Sequence, residues 1–248
     1  MKKISYILVL LVFQSCMKVS VKDCFQSSGR EVTQEVELEI FTKILVYEGI
    51  ALTITQADSQ KLEVTTGSNL VDDVSFRVVE GQLIIEDPNN CDWVRNYAPV
   101  HVKISAPNLT EIRSSTQYNI NSEGMLAYPS LVLLSENHRD TSLNNTGDFN
   151  LELMCNSLRT VTNGFSNFIV SGHVKTLNIF VASGSTRFEG ENLEADEIVI
   201  YHRGSNDLIL YPIDKISGNL YATGNVILKN TPPIIDVTEH YKGSLIID

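Results

Sequence analysis

The chain has 248 residues, 43% of them apolar, and its 30 acidic against 19 basic residues give a net charge of −11. A surface so acidic, with no Lys- or Arg-rich block, repels phosphate backbones and anionic headgroups and excludes a nucleic-acid-binding role. Solubility alone accounts for the acidity.

Met1, Lys2 and Lys3 open the chain with positive charge, and Ile4 to Phe13 follow as an apolar run broken only by Ser5. That run is too short for a membrane-spanning helix, which needs about 20 apolar residues, and has the length of a secretory signal. It ends in Phe13-Gln14-Ser15-Cys16, which resembles a bacterial lipobox, a small residue before the cysteine that is lipidated; the alternative is an ordinary cleaved signal. Residues 1–15 are expected as a lipoprotein signal peptide, Cys16 as the lipid-bearing residue, and 16–36 as a lipidated tether and entry segment. By the same resemblance Met17, where an inner-membrane lipoprotein often carries Asp, points to the outer membrane, with its periplasmic face and the cell surface both open.

Three cysteines remain. An exported chain meets an oxidising space, so a disulfide is expected. Cys24 and Cys91 lie in polar, turn-like surroundings and are the candidate pair, although other pairings stay open. Cys155 borders the apolar run Leu151 to Met154 and is expected buried and free. No CxxC and no Cys–His spacing suggests a metal, and no cofactor motif is present.

From Glu37 the chain reads as short strands rich in Val, Ile, Thr and aromatics: Leu38 to Phe41, Lys43 to Tyr47, Ala51 to Thr55 and Lys61 to Thr65. Ser75 to Val79 and Gln82 to Asp87 flank Glu80-Gly81 as in a hairpin, and Asn69 to Val74 could form one helical turn at most. Pro88 to Pro99 stands apart, with Trp93, Arg95 and Tyr97 in one loop. Such residues serve binding hot spots, and equally would cover the open end of a core. Val100 to Ile104 is an alternating strand before the corner Ala106-Pro107-Asn108-Leu109.

The repeat region follows. Gly164, Gly184, Gly204 and Gly224 are 20 residues apart, and four positions after each stands Phe168, Phe188, Leu208 or Leu228. A 20-residue period of glycine and β-forming residues predicts a solenoid in which each repeat makes one rung. Strands about 4.8 Å apart in register would stack these apolar side chains inside the coil. The glycines fall where the backbone bends or admits no side chain. The expected fold is all-β: a right-handed parallel β-helix (β-solenoid) with about 20-residue rungs. Its single domain spans 37–248, with less regular strands over 37–106 and the repeats over 107–248; the 20-residue register is read from Leu158 onward, and residues 135–157 look longer and less regular.

Phe41-Thr42-Lys43-Ile44 followed by Gly49-Ile50-Ala51-Leu52-Thr53-Ile54-Thr55-Gln56 resembles the opening of the head GIN domain family, described as putative auto-transporter adhesins and common in Bacteroidetes lipoproteins. Gly81 to Ile85 and Val102 to Leu109 continue the resemblance, and Ser183-Gly184-Ser185, Arg203-Gly204-Ser205 and Thr223-Gly224-Asn225 match its later turns loosely. The sequence departs from the glycine-rich pattern at Ser114-Ser115-Thr116 and Asn137-His138-Arg139, so these early rungs are expected to carry bulkier edges. The resemblance implies a right-handed parallel β-helix, a hand that crossover chirality also favours, and brings no catalytic residues.

Pectinase-like enzymes also use β-helices, and need converging carboxylates or an acidic calcium site. In the 20-residue register Asp207 stacks on Arg187 and Arg187 on Asn167, while Glu189 lies between Ile169 and Ile209, so no acids pair. His101, His138, His173, His202 and His240 show no metalloprotease spacing, and His202 falls in a column of small residues. No catalytic constellation emerges. The expected function is a cell-envelope lipoprotein that acts as an adhesin, binding glycans or surface proteins and meeting the membrane through its lipid only. A polysaccharide-degrading enzyme or a structural envelope protein are the alternatives. Phe180, Tyr201 and Tyr221 point outward and could stack on sugar rings or pack on a neighbouring copy; the oligomeric state is open.

Overall fold

The computed structural model describes residues 27–88, 98–138 and 143–248. The fold is all-β, and the one helical element among the described residues is a 3-10 turn at Val71–Asp73, inside the stretch that sequence allows one turn.

The N-terminal part comprises β1 (Glu31–Val36), β2 (Lys43–Val46), β3 (Ile50–Gln56), β4 (Lys61–Gly67), β5 (Ser75–Val79) and β6 (Gln82–Glu86). β1 lies in the expected tether and pairs antiparallel with β4, turning Val32 and Val36 toward the core. The expected strand at Leu38–Phe41 does not form. Instead the Gln60 side chain binds the Phe41 backbone at both its N–H (3.3 Å) and its carbonyl (2.5 Å), and Phe41 is buried. β5 and β6 form the expected hairpin, and both turn residues, Glu80 and Gly81, have positive φ, as tight hairpin turns require.

The rest is a curled sheet of mainly parallel, long strands, with its first strand also antiparallel to β4. β7 (Val100–Ala106), β8 (Glu111–Ser114), β9 (Ile120–Leu126) and β10 (Ser130–Ser135) lead into the long β11 (Phe149–Thr162), β12 (Phe168–Val181), β13 (Phe188–His202) and β14 (Leu208–Leu220). β15 (Val226–Leu228), β16 (Ile234–Glu239) and β17 (Leu245–Ile247) complete it. One column of parallel pairs runs β2, β8, β10, β11 and on to β14 and β16. The other runs β3, β9, β11 and on to β14, β15 and β17.

Inside, the row Ile120, Phe149, Phe168, Phe188, Leu208, Val226 and Leu245 is continuous. Phe149 and Phe168 stack with centroids 4.9 Å apart, Phe168 and Phe188 at 6.1 Å. This row starts a rung earlier than the 20-residue register suggests, because Phe149 and Phe168 are only 19 apart. It also leaves that register at its end: Val226 takes the place expected for Leu228, which pairs with Leu210 instead. Of the four spaced glycines only Gly184 has positive φ (+90°). At Gly164 and Gly224 the constraint is space, since a Cβ would lie 2.2 Å from Asn145 Nδ2 and 2.1 Å from the Asn206 carbonyl oxygen.

The corner before this row is held by side-chain-to-backbone hydrogen bonds running from rung to rung. Asn167 N–H donates to Asp148 Oδ1 (2.7 Å), Arg187 N–H to Asn167 Oδ1 (3.1 Å), Asn225 N–H to Asp207 Oδ1 (2.9 Å) and Ser244 N–H to Asn225 Oδ1 (3.1 Å). Arg187 has no acceptor to offer the next rung, so the Asp207 N–H turns to Asn206 Oδ1 (3.0 Å). The Asn167–Arg187–Asp207 column seen in sequence is therefore structural, its chain of side-chain hydrogen bonds interrupted between Arg187 and Asp207. Asn167→Ala strips the Arg187 N–H of its acceptor and is expected to cost about 1–2 kcal/mol, read as a lower denaturation midpoint with faster hydrogen exchange at the Arg187 amide.

His202 is fully buried in the row of Thr162, Val181 and Leu220 rather than beside Ala182 and Ala222, because β13 carries an irregularity that shifts its register. Its Nε2–H donates to the Asn206 carbonyl (2.9 Å) and Nδ1 accepts from Gly204 N–H (3.4 Å), which defines a neutral ring. Burial lowers its pKa, against smaller opposing pulls from the Asn206 carbonyl and the Asp207 charge. The folded value thus lies below the unfolded value of about 6.5. The contribution of this ring to stability is complete above about pH 6.5 and declines as the pH falls through it toward the folded value. The urea midpoint is expected to drop between pH 7.5 and pH 5, and to drop less in His202→Gln.

Candidate functional site

On the outside of the coil, Phe180, Tyr201 and Tyr221 are brought together as a ladder. Phe180 and Tyr201 stack with centroids 4.6 Å apart, and Tyr201 meets Tyr221 at 5.0 Å, tilted by 46°. His240 extends the ladder, stacked on Tyr221 at 4.5 Å and bonded through Nε2 to Asn219 Oδ1 at 2.8 Å. His240 was missed as a member because successive rungs here are 21, 20 and 19 residues long, a drift that a fixed period hides. The ladder narrows the sugar-stacking expectation. An inner ring has both faces against its neighbours, so only the end rings can offer a face to a ligand.

At the Phe180 end the ladder opens into a groove of about 640 Å³, within the range of small-ligand sites. In register Phe180 stands between Tyr201 and Val161, and Val161 also lines the groove. The Phe180 face turned away from Tyr201 therefore lies over Val161. Arg113, Glu136 and His138 give the groove a charged wall, and Thr162, Asn163, Ala182 and Ser183 complete its lining.

The charged wall is ordered. Arg113 Nη1 donates to Glu136 Oε1 at 2.6 Å, and Glu136 Oε2 accepts from the His138 backbone N–H at 2.8 Å. Burial by itself raises the Glu136 pKa, but the guanidinium and the N–H together hold it below its ordinary value. The pair is only 21% and 14% exposed, and the remaining guanidinium N–H groups are held at a fixed place along the wall. Asn163 Oδ1 accepts from the Asn137 N–H (3.2 Å) and from Asn145 Nδ2 (2.9 Å), while its own Nδ2 donates to Asn137 Oδ1 (3.0 Å). Asn163 thus braces the wall, and the exposed Ser183 hydroxyl donates to the Asn163 carbonyl (3.1 Å) with its lone pairs free to accept.

Cys16, Cys24, Cys91, Trp93, Arg95, Tyr97 and Arg139 lie outside the described residues. Cys155 is buried and free, its thiol pushed up to about 11 by burial. Among the described residues no three Asp, Glu, His or Cys side chains converge as metal ligands, and no helix is long and apolar enough to cross a membrane.

The all-β fold presents an ordered amphipathic groove to solvent. The family model described as "Putative auto-transporter adhesin, head GIN domain" matches residues 40–232, and the chain belongs to that family. Among solved structures, a putative adhesin from Bacteroides fragilis is 18% identical with a TM-score of 0.77, covering 88% of this chain and 97% of that one. A putative adhesin from Parabacteroides merdae is 16% identical with a TM-score of 0.56 over 89% and 97%. A Parabacteroides distasonis protein described as a putative lipid binding protein is 16% identical with a TM-score of 0.59 over 88% and 97%. At such identities the likeness is one of fold. No curated protein matches the chain.

Proposed function

We propose that this protein is a cell-envelope lipoprotein, anchored to the outer membrane through Cys16 with residues 16–36 as tether, and that it acts as an adhesin whose groove binds carbohydrate. Its domain over 37–248 is a right-handed parallel β-helix in this reading, supported by consecutive parallel pairing at 18- to 20-residue rung spacing along the inner row and by crossover chirality. The observation that carries the ligand class is the Phe180 face beside an ordered charged wall. A pyranose has an apolar C–H face and a rim of hydroxyls, and needs a ring face and polar side groups together. Family membership supports a surface-binding role, and the signal-like N-terminus supports the anchor.

A glycan array probed with the purified protein tests the ligand class; array signals lost in Phe180→Ala are expected, and an array without signals refutes it. For the anchor, Cys16→Ala is expected to shift the protein from the membrane to the soluble fraction. Membrane retention unchanged by that substitution contradicts lipidation.

A further inference from the structure

The described residues hold two methionines, Met125 and Met154, and neither lies in the core. They are 41% and 50% exposed. A single exposed apolar side chain is unremarkable, but these two stand on neighbouring strands of one outer face. Met125 of β9 is in register with Glu152 of β11, and Met154 follows Glu152 by two residues, on the same side of that strand. With strands about 4.8 Å apart and a rise of about 3.3 Å per residue, the two Cα atoms are about 8 Å apart. Two long unbranched side chains span that diagonal. On the other side of Met154, in direct register on β12, stands His173. Three consecutive strands thus present thioether, thioether and imidazole on one face.

The imidazole is already oriented. His173 Nε2 lies 3.0 Å from Asp196 Oδ1. A carboxylate can only accept there, so Nε2 carries the proton and Nδ1 keeps its lone pair. A carboxylate behind the ring in this way is what fixes the tautomer of a metal-binding histidine and makes its free nitrogen a better donor. The side chains of His173 and Asp196 are 42% and 35% exposed, so an ion in solution reaches the ring. Glu152 and Glu194, in register with Met125 and His173, are exposed and add negative charge around the three donors.

We propose that Met125, Met154 and His173 form a binding site for a soft cation, Cu(I). Thioether sulfur matches Mg(II) and Ca(II) poorly and, beside a neutral imidazole, suits Cu(I). With one imidazole and two thioethers the site differs in kind from the clusters of Asp, Glu, His or Cys that the described residues lack. It lies seven residues back from Val161 and Phe180 along β11 and β12, and so is separate from the groove.

The test is a titration of the purified protein with Cu(I), held reduced by ascorbate and competed by bicinchoninate. Accessible thiols are alkylated first, which removes cysteine as a rival ligand. One Cu(I) is expected to bind per chain and to move the methyl resonances of both Met125 and Met154. Met125→Leu/Met154→Leu is expected to lower the affinity at least about tenfold, with an unchanged thermal midpoint in the absence of metal, since both side chains are exposed. Asp196→Ala leaves all three donors in place and is expected to lower the affinity by about 10–100-fold, as loss of the carboxylate behind a metal-bound imidazole does. No uptake of Cu(I), methyl resonances that stay in place, or an affinity unchanged in either variant each overturns the proposal.

Discussion

Replacing Phe168 by alanine is expected to cost about 3–5 kcal/mol. Phe168 is fully buried in the middle of the aromatic row, its ring against Phe149 on one side and Phe188 on the other. The substitution leaves a ring-sized void that neither neighbour can fill, because each is fixed by its own strand in register. The loss also has a direction along the coil. Rungs β12 and β13 stabilise each other only through such rows and the ladder of hydrogen bonds, so the C-terminal rungs are expected to lose amide protection before β2 to β9. Urea denaturation with residue-resolved hydrogen exchange reads both effects. A midpoint within experimental error of the natural protein would show that the row is not what holds successive rungs together.

The second large effect is expected at Gly218. It lies within β14 with φ +132°, a conformation costly to any residue with a Cβ. A Cβ there would also lie 2.0 Å from the Ile200 carbonyl oxygen, which belongs to the strand paired with it. Relief requires β13 and β14 to separate, and Gly218→Ala is expected to destabilise by on the order of 3 kcal/mol. Gly81→Ala is the comparison. That glycine also has positive φ, but no atom lies within 4 Å of its Cβ position, so only the smaller backbone penalty applies. Thermal melts of the two variants separate strain from collision, and equal midpoints would remove the close approach from the account.

The inner row and the period were legible because in-register parallel pairing forces one apolar residue to recur at one place in each rung. They were legible only where rungs are equal in length. The steps of 19 residues from Phe149 to Phe168 and 18 from Leu208 to Val226 misplace Leu228 and hide Phe149. The same drift moved His202 into a different row and concealed His240. Gln60 replaced an expected strand by a side-chain bond to Phe41, which no periodicity reveals. The groove is the clearest case. Arg113, Glu136 and Phe180 come from three rungs far apart in the chain, and only stacking brings them together. One trace of it was visible, since the departures from the glycine-rich pattern at Ser114–Thr116 and Asn137–Arg139 are adjacent to Arg113 and Glu136. Of these corner residues His138 lines the groove, whereas Ser114, Ser115 and Thr116 are buried.

We place the carbohydrate ligand at the Phe180 end of the aromatic ladder. Isothermal titration of the strongest array glycan against the natural protein and Phe180→Ala measures this. Phe180→Ala is expected to weaken binding at least about tenfold, the scale of a hot-spot residue. Binding undiminished in Phe180→Ala would show that the ligand sits elsewhere.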